Sequence, residues 1–219
     1  MVIPALDEEA VIAAAIASVR GEADEVIVAD GGSGDATRVR AEGAGARVVA
    51  AARGRGLQQI EGARAARGDW LVFLHADTRL EPGWSRALRE APADVALVAF
   101  RFAVDSPRPA FRLIELGTRV RCRLFRLPYG DQALSVRRAA YDAAGGFAPL
   151  PLMEDVDLVR RLRAQGALVV SPLRAITSGR RWEKRGVLRG TLRNWTTMAL
   201  YTLGIAPERL ARRYERLSR

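Results

Sequence analysis

The chain has one cysteine, Cys122, and one histidine, His75, in 219 residues. A lone thiol closes no internal disulfide, and one histidine without cysteine neighbours builds no zinc centre, so the disulfide-stapled and Cys/His metal classes are excluded. Cys122 reads as a packed thiol, which suits a reducing compartment. No apolar run approaches the roughly 18–20 residues that span a bilayer. The opening MVIPALDEEAV lacks the basic-then-apolar layout of a secretion signal, and a cytoplasmic protein is expected. No G-K-[ST] occurs, which removes the P-loop, and DGGSGD is not the G-x-G-x-x-G of dinucleotide binding because its acid precedes the glycines. Those glycines read as turn formers at a tight strand-to-helix connection.

A hydrophobic fraction of 49% is enough for one sizeable domain with an appendage. The net charge of +10 is unevenly placed: residues 158–219 carry 15 Lys and Arg against 3 acids, and residues 1–157 carry 20 against 22. All the excess positive charge therefore lies in the last third. Arginine supplies 34 of the 35 basic residues. One reading is that it decorates solvated helix faces; the other is contact with nucleic acid, an anionic membrane surface or a phosphorylated substrate.

Periodicity organises the first half. MVIPAL, EVIVAD, ARVVAA, WLVFLH and VALVAFRFAV read as strands, being short apolar runs bounded by turn residues. EEAVIAAAIASVR sets Val11, Ile12, Ala15, Ile16 and Val19 on one helical face with acids in its first turn. LQQIEGARAAR and PGWSRALRE read as further helices, the second with Pro82 near its first turn. Residues 1–104 are thus expected to form an α/β nucleotide-binding half with a mostly parallel, Rossmann-like sheet. Ligands of such sheets gather at the carboxyl ends of the strands. There stand Pro4 and Ala5 followed by Asp7, Glu8 and Glu9, then Asp30, then His75, Ala76 and Asp77. A carboxylate after the second strand can accept hydrogen bonds from a base or ribose. One after the fourth can hold a hard divalent cation, Mg2+ or Mn2+, against a diphosphate.

VIPALDEE, VIVADGGSGDAT and GDWLVFLHADTRL resemble the nucleotide-sugar-binding half of family 2 glycosyltransferases of GT-A fold, in which a D-x-D-like motif holds a metal on the donor diphosphate. HAD departs from that motif at its first position, so the resemblance implies only Asp77 as metal ligand. The donor set expected from the strand ends and the resemblance is Pro4, Ala5, Asp7, Glu9, Asp30, Arg55, Gln58, Ala76, Asp77 and Arg181. Ile60 stands where many members carry Asn, which leaves Gln58 as the polar contact of its helix. LPYGDQALSVRRAAYDAAGGF, PLMEDVDLVRRLRAQG and SGRRWEKRGVLRGTLRNW resemble a narrower subgroup, glycosyltransferases named for an association with arsenosugar biosynthesis or radical-enzyme gene clusters. Together these motifs cover nearly the whole chain.

The resemblance implies inverting transfer with Asp155 as base and Glu154 orienting acceptor or base, on a helix expected over Asp155 to Gln165. The other reading makes Glu154, Asp155 and Asp157 favourable first-turn acids. Gly130, Asp131 and Gln132 would lie beside donor sugar and acceptor; alternatively Asp131 merely caps a turn. Arg180, Arg181 and Trp182 resemble the end of the Q-x-x-R-W motif of processive relatives, with Ser178 in place of its glutamine, which argues against a polymerase. Arg181 then clamps the diphosphate and Trp182 stacks on the acceptor.

FRLIELGTRVRCRLFRL reads as a basic amphipathic helix. VLRGTLRNWTTMALYTLGIAPERLARRYERL continues with an apolar face around Leu192, Trp195, Met198, Ala199 and Leu203, then a basic tail helix from near Pro207. Such helices suit an anionic membrane and a lipid-linked acceptor, or serve as core or homodimer contact. Nucleic acid is disfavoured because aromatics do not interleave with the arginines. The expected organisation is a single GT-A-type α/β domain, with residues 1–104 binding the donor and 105–185 supplying the acceptor and catalytic half. Residues 186–219 form a basic helical extension. A nucleotidyltransferase and a non-catalytic nucleotide-sugar-binding or membrane-scaffold protein are the alternatives.

Overall fold

The computed structural model describes residues 1–180 and 186–216. Strands β1 (Val2–Ala5), β2 (Ile27–Asp30) and β3 (Arg47–Ala50) pair in parallel, in the order β1-β2-β3. A second set, β4 (Trp70–Val72), β5 (Thr78–Leu80), β6 (Val95–Asp105), β7 (Ser135–Arg137) and β8 (Ala167–Ser178), is ordered β4-β7-β6-β8-β5. The two sets meet where Val2 pairs in parallel with Phe73 and the Leu74 N–H donates to the Val2 carbonyl at 3.0 Å. The α/β architecture follows the sequence reading; β1, β2 and β3 pair in parallel, and the longest parallel ladder joins β6 to β8 from the second half of the chain. Strand β7, by contrast, runs antiparallel to both β4 and β6.

Strands β1 and β2 are buried along their whole length, which is why they read as unbroken apolar runs. Helix α1 (Ile12–Arg20) buries Ile12, Ala15, Ile16 and Val19, four of the five positions expected. Its first turn holds no acid, contrary to expectation: Glu8 and Glu9 lie in the preceding loop, where they bind the loop after β2. Helix α2 (Thr37–Gly43) leaves no apolar period in the sequence, because only Thr37 and Ala41 of its seven residues are buried. In β8, Ser171 pairs with Phe100 but Arg174 pairs with Arg101, so Pro172 and Leu173 bulge out of the ladder. Proline brings no N–H to such a ladder, and the bulge accommodates it.

Helix α3 (Arg55–Ala65) covers β1 and β2, and α4 (Trp84–Arg89) follows β5. Helix α5 (Pro109–Phe125) follows β6, a 3-10 turn spans Gly130–Gln132, α6 (Arg138–Ala143) follows β7, and α7 (Glu154–Leu162) precedes β8. The last of these begins at Glu154 and ends at Leu162, three residues before the Gln165 expected. Helices α8 (Val187–Thr202) and α9 (Pro207–Arg216) form the basic extension. Met198 and Tyr201 of α8 pack on the core around Phe73, Val156 and Leu158, whereas Leu192, Trp195 and Leu203 face outward. Among the described residues no helix is long and apolar enough to cross a membrane.

Helix α3 approaches β1 closely at Gly62, where any Cβ would fall inside van der Waals contact with the Val2 side chain. Val2 is fully buried, so it has nowhere to move. Gly62→Ala is expected to lower stability by about 1–3 kcal/mol despite alanine's better helix propensity, read as a shifted midpoint in urea unfolding.

Candidate active site

The loops after β1 and β2 are laced together by the acidic side chains the sequence singled out. Asp30 is buried and accepts from the Gly32 N–H at 3.1 Å and the Ser33 hydroxyl at 2.5 Å. Asp7, held at φ +53°, donates its N–H to the Ser33 hydroxyl and accepts the Gly34 N–H at 2.9 Å. Glu9 accepts from the Ala36 N–H at 3.1 Å, and Glu8 pairs with Arg180. Pro4 and Ala5 close β1 beneath this lacing. Gln58, expected on the donor, is 4% exposed; its amide donates to the carbonyls of Ala5 at 2.5 Å and Ala29 at 3.1 Å. It braces the two strand ends from below and does not line the cavity. A buried amide between two carbonyls fills both of its donor sites, which leaves little for a ligand.

Beyond β4, Ala76 is buried while His75 and Asp77 face a cavity of about 470 Å³ that Arg55, Asp131 and Asp155 also line. The chain turns at Asp77, whose carbonyl accepts the Ser178 N–H at 2.9 Å and so ties β5 to the end of β8. From the opposite side comes Gly130, donating its N–H to Asp155 Oδ2 at 2.7 Å; the other Asp155 oxygen accepts the Val156 N–H at 2.8 Å. A Cβ at residue 130 would lie 2.9 Å from His75 Nε2 and 3.1 Å from Asp155 Oδ2. Glycine is therefore required there, because histidine and carboxylate converge on that backbone position. The HAD, YGDQ and MEDVDL segments, more than fifty residues apart at the extremes, share one point in space.

Arg55, the first residue of α3, is ion-paired with Glu154, whose side chain is 1% exposed. Glu154 holds the Arg55 pKa above its ordinary value, against the opposing effect of burial. Glu154 thus has a cation of its own, and Asp155 is the acid of that pair that lines the cavity. Gln132, expected at the acceptor, is 1% exposed and tied into the protein: its oxygen accepts from Arg121 at 3.0 Å and the Tyr129 N–H at 3.2 Å, and its amide donates to the Phe100 carbonyl at 2.9 Å. It holds the YGDQ turn in shape beneath Asp131. Met153, at φ +67°, sets the start of α7 and also lines the cavity.

Helices α8 and α9 close the cavity with Met198, read from the sequence as part of an apolar face, and with Arg193, Asn194 and Tyr214, which that reading did not single out. Arg193 stacks over the Tyr214 ring at 3.9 Å and donates to its hydroxyl at 2.8 Å, and that hydroxyl donates to Asn194 Oδ1 at 3.3 Å. Nothing local in the sequence marks these residues, because the α8–α9 turn alone brings 193 and 214 together. Arg181 and Trp182 lie outside the described residues.

Among the described residues no group of three His, Cys, Asp or Glu side chains converges to hold a metal unaided. That fits Mg2+ or Mn2+ on a diphosphate, where one or two carboxylates suffice and substrate oxygens and water complete the shell. Asp77 is open to the cavity, and the buried Asp131 Oδ1 has no hydrogen-bond partner among the described residues. Burial pushes the Asp131 carboxyl up to about 6; Asp155 and Asp77 add to the effect, and Arg121 and Arg55 oppose it.

Because that value lies above the ordinary carboxylate range, folding favours protonated Asp131. Its contribution to stability is full below about pH 4 and is lost as pH rises through about 6. Asp131→Asn should therefore gain on the wild type across that window and level off above it, by about 1–2 kcal/mol given the carboxyl's partial access to cavity water. Urea titrations without divalent ions, from pH 4 to 8, test this; a pH-independent difference contradicts it.

The model of glycosyl transferase family 2 matches residues 1–150. Glucosyl-3-phosphoglycerate synthase of Mycolicibacterium paratuberculosis is 41% identical over 90 residues, 35% of this chain and 27% of that protein. The Mycobacterium tuberculosis enzyme of the same name is 39% identical over 90 residues, 35% of this chain and 28% of that protein. The aligned stretch thus spans little more than a quarter of these curated relatives. Among solved structures, a mycobacterial protein superposes with a TM-score of 0.59 at 27% identity, covering 81% of this chain and 64% of the other. The M. tuberculosis synthase in complex with Mn2+, UDP-glucose and phosphoglyceric acid superposes with a TM-score of 0.59 at 26% identity, covering 77% and 68%.

Proposed function

Since the chain belongs to glycosyl transferase family 2, we propose that it transfers a sugar from a nucleoside-diphosphate sugar to an acceptor hydroxyl. The observation that carries the proposal is the meeting of Asp77, Asp131, Asp155 and Arg55 in one cavity at the carboxyl ends of the strands. The relatives' complexes with uridine diphosphate and Mn2+ or Mg2+ support the same nucleotide and metal here. The donor half is residues 1–104, with Asp7, Glu9 and Asp30 shaping the nucleoside edge through the loops they lace. Residues 105–185 are the catalytic half and 186–219 the basic extension. The motifs past residue 127 favour the arsenosugar- or radical-enzyme-associated subgroup over the synthases themselves.

Asp77 would hold the metal, which supplies positive charge to the departing diphosphate. Arg55, charged at every working pH and at the cavity wall, faces the same anion, and Arg181 joins it. Asp155 takes the proton of the acceptor hydroxyl as that oxygen bonds to the anomeric carbon; the bond from that carbon to the phosphate oxygen breaks, and the nucleoside diphosphate leaves with its electrons. The Gly130 N–H and the Val156 N–H fix the Asp155 carboxylate for this role. Glu154 positions Arg55, and Asp131, Gly130 and Trp182 border the acceptor. That acceptor is a small phosphorylated molecule, as phosphoglyceric acid is for the relative, or a lipid-linked one. We place the protein in the cytoplasm, at the inner face of a membrane where the acceptor is lipid-linked.

Calorimetric titration of uridine diphosphate and UDP-glucose, with and without Mn2+, tests the donor site. Metal-dependent binding is expected in the wild type and is lost in Asp77→Ala. Asp155→Asn should bind donor like the wild type but turn over roughly 10²–10⁴-fold more slowly. Unchanged turnover in Asp155→Asn refutes its role as base. Pyrophosphate release from a nucleoside triphosphate would instead establish a nucleotidyltransferase, and binding without any turnover a scaffold protein.

A further inference from the structure

Helix α5 has two apolar faces. Phe111, Thr118 and Cys122 point into the protein, with Ile114 packed beside Phe102 and Val104. On the other side Leu113, Leu116, Val120 and Leu124 recur at intervals of three, four and four residues, and all four are exposed, Leu113 at 72% and Leu124 at 67%. A spacing of that kind sets them in one stripe along the helix. Arg112, Arg119 and Arg123 run beside the stripe. Arg119, Arg123 and the following Arg126 form no ion pair among the described residues, and the only acid on α5, Glu115, is turned back to the Val104 N–H and Arg112.

Helix α8, in contact with α5, repeats the arrangement. Arg193, Asn194, Thr197 and Met198 lie on its cavity side. Leu192, Trp195 and Ala199 lie across the helix, open to solvent, with Trp195 68% exposed and Leu203 beyond the helix end 79%. No acid occurs between residues 187 and 202. Exposed apolar rows of this length are unusual on a protein that buries everything it can.

We propose that the outward faces of α5 and α8 dock on the surface of an anionic lipid bilayer. The leucines and Trp195 enter the headgroup–acyl boundary, and Arg119, Arg123 and Arg126 meet acidic headgroups. Charge decides between this occupant and a second copy of the chain. A two-fold contact would set the unpaired arginines of α5 against themselves, whereas an anionic surface neutralises them. Docking in this way places the bilayer one helix diameter, about 10 Å, from the cavity that α8 lines on its other side. The inference stands apart from the transfer chemistry, since none of these residues touches the cavity carboxylates.

Co-sedimentation of the full chain with extruded vesicles tests it. Partition into phosphatidylcholine–phosphatidylglycerol vesicles, weakening as salt is raised, is expected, with little partition into phosphatidylcholine alone. Arg119→Gln with Arg123→Gln should lower partition roughly 30-fold, at about a tenfold loss per 1.4 kcal/mol and about 1 kcal/mol for each arginine. Leu116→Asp with Leu124→Asp should abolish it. Both are surface changes, and thermal melting and uridine diphosphate binding confirm an intact fold. The charge-matched pair Arg64→Gln with Arg86→Gln should leave partition near wild type. Three results each overturn the proposal: no partition into anionic vesicles, an equal loss in the control pair, or a dimer in solution that Leu116→Asp with Leu124→Asp dissolves.

Discussion

The site depends on one strand contact. Phe73 and Leu74 run parallel to β1, held by the Leu74 N–H on the Val2 carbonyl at 3.0 Å and by the Phe73 N–H on the Leu134 carbonyl at 2.9 Å. That pairing joins the three parallel strands β1 to β3 to the mixed sheet with their carboxyl ends on the same edge. Phe73 also anchors the core, packing edge-on against Phe147 at 4.8 Å and beside Tyr141 at 5.6 Å. The loop leading to the MEDVDL helix is thereby fixed to the same strand.

Around this frame the polar residues divide by what surrounds them. Gln58 and Gln132 are buried amides: the Gln58 amide donates to two backbone carbonyls, and Gln132 is held by a backbone carbonyl, a backbone N–H and a guanidinium. Buried polar groups need such partners, and once they have them they act as braces. The carboxylates at the cavity are different. Asp77 and Asp131 keep faces open to it, and Asp155 is steadied by two backbone N–H groups while still reaching the space. Burial is the main cause that raises the Asp131 pKa, with Asp155 and Asp77 adding to it and Arg121 and Arg55 opposing it. A cation bound beside these carboxylates would favour their charged forms.

The positive charge of the last third is likewise used in more than one way. Arg193 closes the cavity against Tyr214, Arg160 sits over the Tyr201 ring at 4.9 Å and holds α8 to α7, and Arg161 pairs with Asp157. Those arginines are internal stitching. Outside that third, Arg119, Arg123 and Arg126 are among the arginines that form no ion pair among the described residues, and they lie on the outside of α5 next to apolar side chains that the fold leaves uncovered.

Local pattern made much of this legible. Unbroken apolar runs announced β1 and β2 because both faces of those strands are buried, and of the carboxylates that follow strands in the first half Asp77 lines the cavity. The 3.6-residue period of α1 and α5 was equally plain. Three things were not. Helix α2 buries too little to leave a period, and β8 carries a bulge at Pro172 that breaks its alternation. The assignment of Gln58 and Gln132 to bracing, and of Arg193 and Tyr214 to the cavity wall, depends on residues as far as 53, 32 and 21 positions away. Burial and periodicity are local consequences of chain geometry and so are written along the sequence. Which polar group is enclosed, and by what, is set when distant segments meet and compete for the same hydrogen bonds, and no short stretch of residues records the outcome.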